Sequence, residues 1–150
     1  MGGLRAALQG QKVYLDANIF IYLLEGIEPW ATLLQDVFSG FITEELSAVS
    51  SRLTLSECLV LPFKQNDTSL VKVYREALLS NYYLTIAPIN DQILISAANI
   101  RAQSGLKLPD AIHAATALTS KCTAMVTNDS GFSRVSGINL FLLKDWIDSH

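Results

Sequence analysis

Four carboxylates stand where acids can do chemistry: Asp16, Glu57, Asp110 and Asp129. Asp16 closes the apolar run Val-Tyr-Leu, and Asp129 follows Met-Val-Thr-Asn. Asp110 comes directly after Pro109, at the head of an Ala-rich stretch, and Glu57 ends Thr-Leu-Ser-Glu. Each also has an ordinary explanation. Asp16 or Asn18 can cap the next helix. Asp129 lies in the turn-forming string Asn-Asp-Ser-Gly. Asp110 suits the positive end of a helix dipole. Thr54-x-x-Glu57 matches a capping box. Their joint placement carries more weight than any one of them. Four carboxylates gathered at one place cannot all stay ionised without a cation. Mg²⁺ and Mn²⁺ are hard ions that take oxygen ligands. Such ions activate water and stabilise the leaving oxygen when a phosphodiester is hydrolysed.

The elements that must position these acids alternate. Lys12–Asp16 reads as a short buried strand, and 18–25 as a helix that Gly26 stops. Pro29–Gly40 reads as a helix with Pro29 in its first turn and Gly40 closing it. A strand is expected over 47–53. A helix follows from Thr54 to about Lys64, with Pro62 kinking or ending it. Further helices are expected over 69–79 and over 91–104, the latter capped by Asn90 and ended by Gly105. Another is expected over 109–121. Strands are expected over 84–89, 123–127 and 138–143. Short apolar strands alternating with helices predict an α/β fold, a parallel sheet covered on both faces. In such folds ligands bind beyond the carboxyl ends of the strands, where Asp16 and Asp129 stand.

Composition narrows the classes. The chain has 150 residues, which fits one domain spanning 1–150. Half of them are hydrophobic and 17% are charged, against about 25% in an average domain. That leaves apolar surface for a partner. The net charge of −3 does not attract a polyanion by itself, so a basic patch or bound cation would be needed. Two cysteines in no paired motif fit a reduced, cytoplasmic protein. The first ten residues do not read as a signal peptide. No apolar run approaches the roughly 18 residues of a membrane span. Two histidines argue against a His-rich zinc site.

Four segments carry a family resemblance: V-Y-L-D-A-N-I-F-I-Y-L-L at 13–24, L-T-L-S-E-C at 53–58, L-K-L-P-D-A-I-H-A-A-T-A-L at 106–118 and V-T-N-D-S-G-F at 126–132. In this order and spacing the chain resembles the PIN domain family, most closely the VapC-type toxin ribonucleases. The resemblance implies a three-layer α/β/α sandwich around a parallel sheet of about five strands. It implies a Mg²⁺- or Mn²⁺-dependent endoribonuclease. Asp16, Glu57, Asp110 and Asp129 fall on the family's acidic positions, with Asp16 and Asp110 the firmest metal ligands. Asn18 and Thr127 fall on polar supporting positions, and Asn128 of the Thr-Asn-Asp motif is grouped with them. The resemblance also implies an RNA substrate, a small antitoxin partner and a homodimer. This chain departs from many relatives in carrying Ser130-Gly131 where a second acid follows Thr-Asn-Asp, and in placing a proline after Glu57.

Other residues have alternative readings. His113, three residues after Asp110, could be a general acid. A packed or hydrogen-bonded histidine is the ordinary expectation. Lys64, Lys107, Arg52 and Arg134 could meet phosphates, and Tyr22, Trp30, Tyr82 and Tyr83 could stack on bases. Trp30 is expected to pack in the core or at a dimer face. Two rivals remain at this stage: a PIN-like module that binds without catalysing, and a Mg²⁺-binding phospho-acceptor receiver domain.

Overall fold

The computed structural model describes residues 3–147. Five parallel strands form its centre: β1 (Lys12–Leu15), β2 (Ser47–Ser51), β3 (Leu84–Ala87), β4 (Ala124–Thr127) and β5 (Asn139–Leu142). Their order across the sheet is β3-β2-β1-β4-β5. Seven α-helices accompany them: α1 (Leu4–Ala7), α2 (Ala17–Leu24), α3 (Trp30–Ile42), α4 (Arg52–Lys64), α5 (Thr68–Leu79), α6 (Asp91–Ser104) and α7 (Leu108–Thr119). The chain leaves β1 towards β2 on one side and reaches β4 on the other. The crevice between β1 and β4 is therefore the topological switch point.

The strands explain the layers. Successive side chains point to opposite faces, and Val13, Tyr14 and Leu15 are all fully buried. Val13, Leu15, Ala124 and Val126 face a core built with α1 to α5, which includes Leu34, Val37, Phe41, Tyr74 and Leu78. Tyr14, Val49 and Met125 face a second core with Ile93, Ala97 and Ile100 of α6 and Ala111, Ala114 and Ala115 of α7. A strand buried on both faces cannot alternate polar with apolar, so the buried stretches 13–15 and 124–126 are continuous apolar runs. The result is the expected α/β/α sandwich.

Several boundaries differ from the sequence expectation for physical reasons. Helix α3 runs past Gly40 to Ile42, because Gly40 is a packing position and not a cap. A Cβ there would stand 2.9 Å from Leu46 Cδ1. Helix α4 begins at Arg52, two residues before Thr54, and Ser51 is its N-cap. The Ser51 hydroxyl accepts from the Leu53 amide at 3.0 Å. Pro62 does not end α4, which continues to Lys64. Helix α7 stops at Thr119 and not at Lys121. Helix α6 keeps its predicted bounds. Asn90 accepts from the Ile93 amide, and Gly105 takes the left-handed conformation (φ 74°) that ends it. Helix α1, one turn long, was not anticipated.

Candidate active site

Asp16, Asn18, Glu57, Asp110, His113 and Asp129 line one cavity of about 160 Å³ at the switch point, with Ala17 and Ile21. All four predicted acids are in that set. Asp16 occupies the N-cap position of α2, yet its side chain does not cap the helix. It is 6% exposed. Its Oδ2 accepts a 2.6 Å hydrogen bond from the Thr127 hydroxyl. The same hydroxyl oxygen accepts from the Asp129 amide at 3.0 Å. Thr127, at the end of β4, thus ties the acid of β1 to the backbone that carries Asp129. Asp16 Oδ1 is buried with no hydrogen-bond partner among the described residues. Burial pushes the Asp16 carboxyl up to about 6, against the opposing pull of Thr127 and His113.

Glu57 is not a capping residue. With Ser51 capping α4, Thr54 lies inside the helix and is fully buried. The Ser50 hydroxyl donates to the Leu15 carbonyl at 2.6 Å and lies 2.7 Å from the Thr54 hydroxyl. A serine has one proton to give, so Thr54 donates to Ser50. This pins the first turn of α4 to the residue before Asp16. Cys58, next to Glu57, packs its thiol on the Ala17 carbonyl at 3.7 Å. Glu57 then reaches across to α7, where its Oε1 lies 2.6 Å from His113 Nε2.

Asp110 is half-buried in the first turn of α7, where the helix dipole favours it. Burial, and then the charge of Asp129, raise its carboxyl above the ordinary value. Asp129 does cap the short 3-10 turn that follows it, through a 2.8 Å bond from the Gly131 amide to Oδ1. The turn-residue explanation and the cavity position therefore hold together.

Asn18 is exposed at the rim and makes no hydrogen bond to Asp16 among those of the described residues; Thr127 does that. Asn128 turns away and accepts from the Lys144 amide at 3.2 Å, tying the β4 loop to the turn after β5. His113, 2% exposed, is hydrogen-bonded at both ring nitrogens, to Glu57 and to the Tyr14 hydroxyl (2.6 Å). That is the packed, bonded histidine expected from sequence. Tyr14 itself was missed, because a tyrosine in a buried strand reads as core. The signal was its hydroxyl, which needs a partner when buried. Tyr82 and Tyr83 precede β3, at the edge of the sheet opposite the acids. Trp30 packs, half-buried, against Tyr22. Arg134 is engaged with the Ser104 carbonyl. Lys107, the exposed N-cap residue of α7, lies near enough to oppose the rise at Asp110.

No three His, Cys, Asp or Glu side chains among the described residues form a ready cage for a metal ion. Two features nevertheless fit a hard dication. The donor set lining the cavity is rich in carboxylate oxygen, and Asp16 Oδ1 is an orphaned buried acceptor that a cation would satisfy.

A parallel α/β/α sandwich with acids gathered at its switch point defines a class of α/β proteins with an acidic switch-point cavity. The chain belongs within it to the PIN domain family, whose model matches residues 13–138. That match leaves the receiver-domain rival without support. No curated protein sequence matches significantly. Among solved structures, a chain of a toxin–antitoxin complex from Klebsiella pneumoniae is 25% identical, with a TM-score of 0.64 over 85% of this chain and 95% of that one. VapC20 of Mycobacterium tuberculosis, a sarcin–ricin-loop-cleaving toxin, is 10% identical, with a TM-score of 0.70 over 84% and 96%. The VapBC2 complex of Rickettsia felis, bound to promoter DNA, is 15% identical, with a TM-score of 0.66 over 87% and 97%. The last two likenesses concern the fold alone.

Proposed function

We propose that this chain is a divalent-metal-dependent endoribonuclease and the toxin of a toxin–antitoxin pair. The observation that carries the reading is the orphaned Oδ1 of buried Asp16, in a cavity shared with Glu57, Asp110 and Asp129. Asp16 and Asp110 would hold Mg²⁺ or Mn²⁺, with Glu57 and Asp129 completing the oxygen set. The ion would supply Lewis acidity and an activated water for hydrolysis of the phosphodiester. Thr127 keeps Asp16 and Asp129 in register. Lys107, exposed beside Asp110, offers a positive charge to the RNA phosphate. Both nitrogens of His113 are engaged, by Tyr14 and Glu57, which favours a holding role for this ring over proton donation.

The toxin reading draws on PIN family membership and the 25% identity to a chain of a toxin–antitoxin complex. Exposed apolar side chains on α4 (Val60, Leu61, Phe63) and α6 (Leu94, Ile95) offer surface for an antitoxin and a second copy. Cleavage of a structured RNA by the full chain tests the enzymatic reading. Cutting should stop in EDTA, return with excess Mg²⁺ or Mn²⁺, and be absent in Asp16→Asn. Undiminished cleavage in EDTA, or by Asp16→Asn, would refute it.

A further inference from the structure

A polar chain runs from the core to the cavity. The Tyr14 hydroxyl meets His113 Nδ1 at 2.6 Å, and His113 Nε2 meets Glu57 Oε1 at 2.6 Å. Tyr14 is 0% exposed and His113 2%. Tyr14 packs in the core with Ile93, Ala111, Ile112 and Ala115, and His113 lies between that core and the acid-lined cavity. A phenol and an imidazole buried there cost stability unless each is hydrogen-bonded. Two apolar side chains would fill the same space without that requirement.

The chain has a direction at its outer end. A carboxylate oxygen only accepts, so Nε2 carries a proton and donates it to Glu57. The Tyr14 hydroxyl sets the ring orientation, because an imidazole turned over by 180° would present carbon to both partners. Glu57 is the acid that most needs this. It is a long side chain on α4, about a third exposed, that must span to the far wall formed by α7.

We propose that His113, oriented by Tyr14, is a positioning residue that holds Glu57 by Oε1, so that Oε2 alone is presented to a divalent cation in the cavity. The inference rests on the reading of the cavity as a cation site. It makes Glu57 a one-oxygen partner of the ion. It also gives Tyr14, which does not line the cavity, an influence on cation affinity.

The test is calorimetric titration of Mn²⁺ into the full chain, with thermal melts of every variant. His113→Leu should weaken Mn²⁺ binding about tenfold or more, as loss of a group that orients a ligand commonly does. His113→Gln, whose amide nitrogen can still donate to Oε1, should stay within a few-fold of the unsubstituted chain. Tyr14→Phe should weaken binding less than His113→Leu. The double variant Tyr14→Phe/His113→Leu should bind no worse than His113→Leu alone, since both act through one contact. In ¹⁵N-labelled protein the His113 proton should sit on Nε2, with a resonance that moves in Glu57→Gln. Unchanged affinity in folded His113→Leu would overturn the inference, as would equal losses in the leucine and glutamine variants. If His113→Leu does not fold, an imidazole bare at Nε2 in the unsubstituted chain overturns it instead. Failure of the underlying reading looks different: the unsubstituted chain then binds no Mn²⁺ at all. Binding that is abolished by Asp16→Asn but untouched at His113 sinks the positioning role alone.

Discussion

Asp16 carries two demands that oppose each other. Burial favours its neutral form and lifts the carboxyl to about 6, while a cation site needs it ionised. The folded value lies above the unfolded one of about 3.9, so this group stabilises the fold fully below pH 4. That contribution is lost as pH rises through 6. The burial of Asp110 acts in the same direction. Metal-free protein should therefore melt at a lower temperature at pH 7.5 than at pH 5.5, and Mn²⁺ should restore much of the difference at the higher pH. Scanning calorimetry at the two pH values, with and without Mn²⁺, reads both. Asp16→Asn should raise the metal-free stability at pH 7.5, by at most about 3 kcal/mol from a shift of roughly two units. It should also abolish the Mn²⁺-induced rise. A destabilised Asp16→Asn protein that keeps its response to Mn²⁺ would mean that Asp16 is neither strained by burial nor a ligand of the ion.

Legibility at this scale was uneven. Asp16 and Asp110 could be read because an acid after a buried strand, or at a helix start, is locally conspicuous. Glu57 looked like a cap because Thr54-x-x-Glu57 satisfies that pattern. Ser51 satisfies the cap preference equally well, and only the start of α4 decides between them. The Tyr14–His113 contact joins residues 99 positions apart, and no local pattern encodes it.

Among the elements, α4 places Glu57 and α6 positions the segment leading to Asp110. Ser51→Ala should cost about 1 kcal/mol, the usual worth of an N-cap hydroxyl. Chemical denaturation measures it, and a neutral result would mean that α4 does not depend on this cap. Gly105→Ala should cost roughly 1 kcal/mol or somewhat more, because Gly105 has a φ of 74° that alanine resists. Helix α6 was legible to the residue because its cap and its stop are both local. The end of α3 was not. Gly40 resembles a stop signal, but its lack of a side chain serves a contact with Leu46, and tertiary packing outweighed the local cue.

For the whole molecule, the alternation of short apolar strands with helices predicted a parallel sheet covered on both faces, and the sheet has that form. Strand order lies outside local periodicity. The structure alone supplied it. Order is nevertheless what brings Asp16 and Asp129 together, because β1 and β4 are neighbours only in a sheet arranged β3-β2-β1-β4-β5. With a net charge of −3, the proposed RNA binding should depend on a cation in the cavity. Filter binding should show RNA affinity falling when EDTA is added. In EDTA, Asp129→Asn should bind RNA a few-fold more tightly than the unsubstituted chain, because one repelling charge has left the cavity. Affinity indifferent to EDTA would mean that a basic surface, and not the cavity, holds the RNA.

Asp16, Glu57, Asp110 and Asp129 should together form one cation site. An anomalous-scattering map of crystals grown with Mn²⁺ tests it most directly. A peak is expected inside the switch-point cavity, at a coordination distance of about 2.1 Å from Asp16 Oδ1 and bounded by the other three acids. A saturated crystal with that cavity empty of Mn²⁺, or with the ion bound elsewhere on the surface, would contradict it.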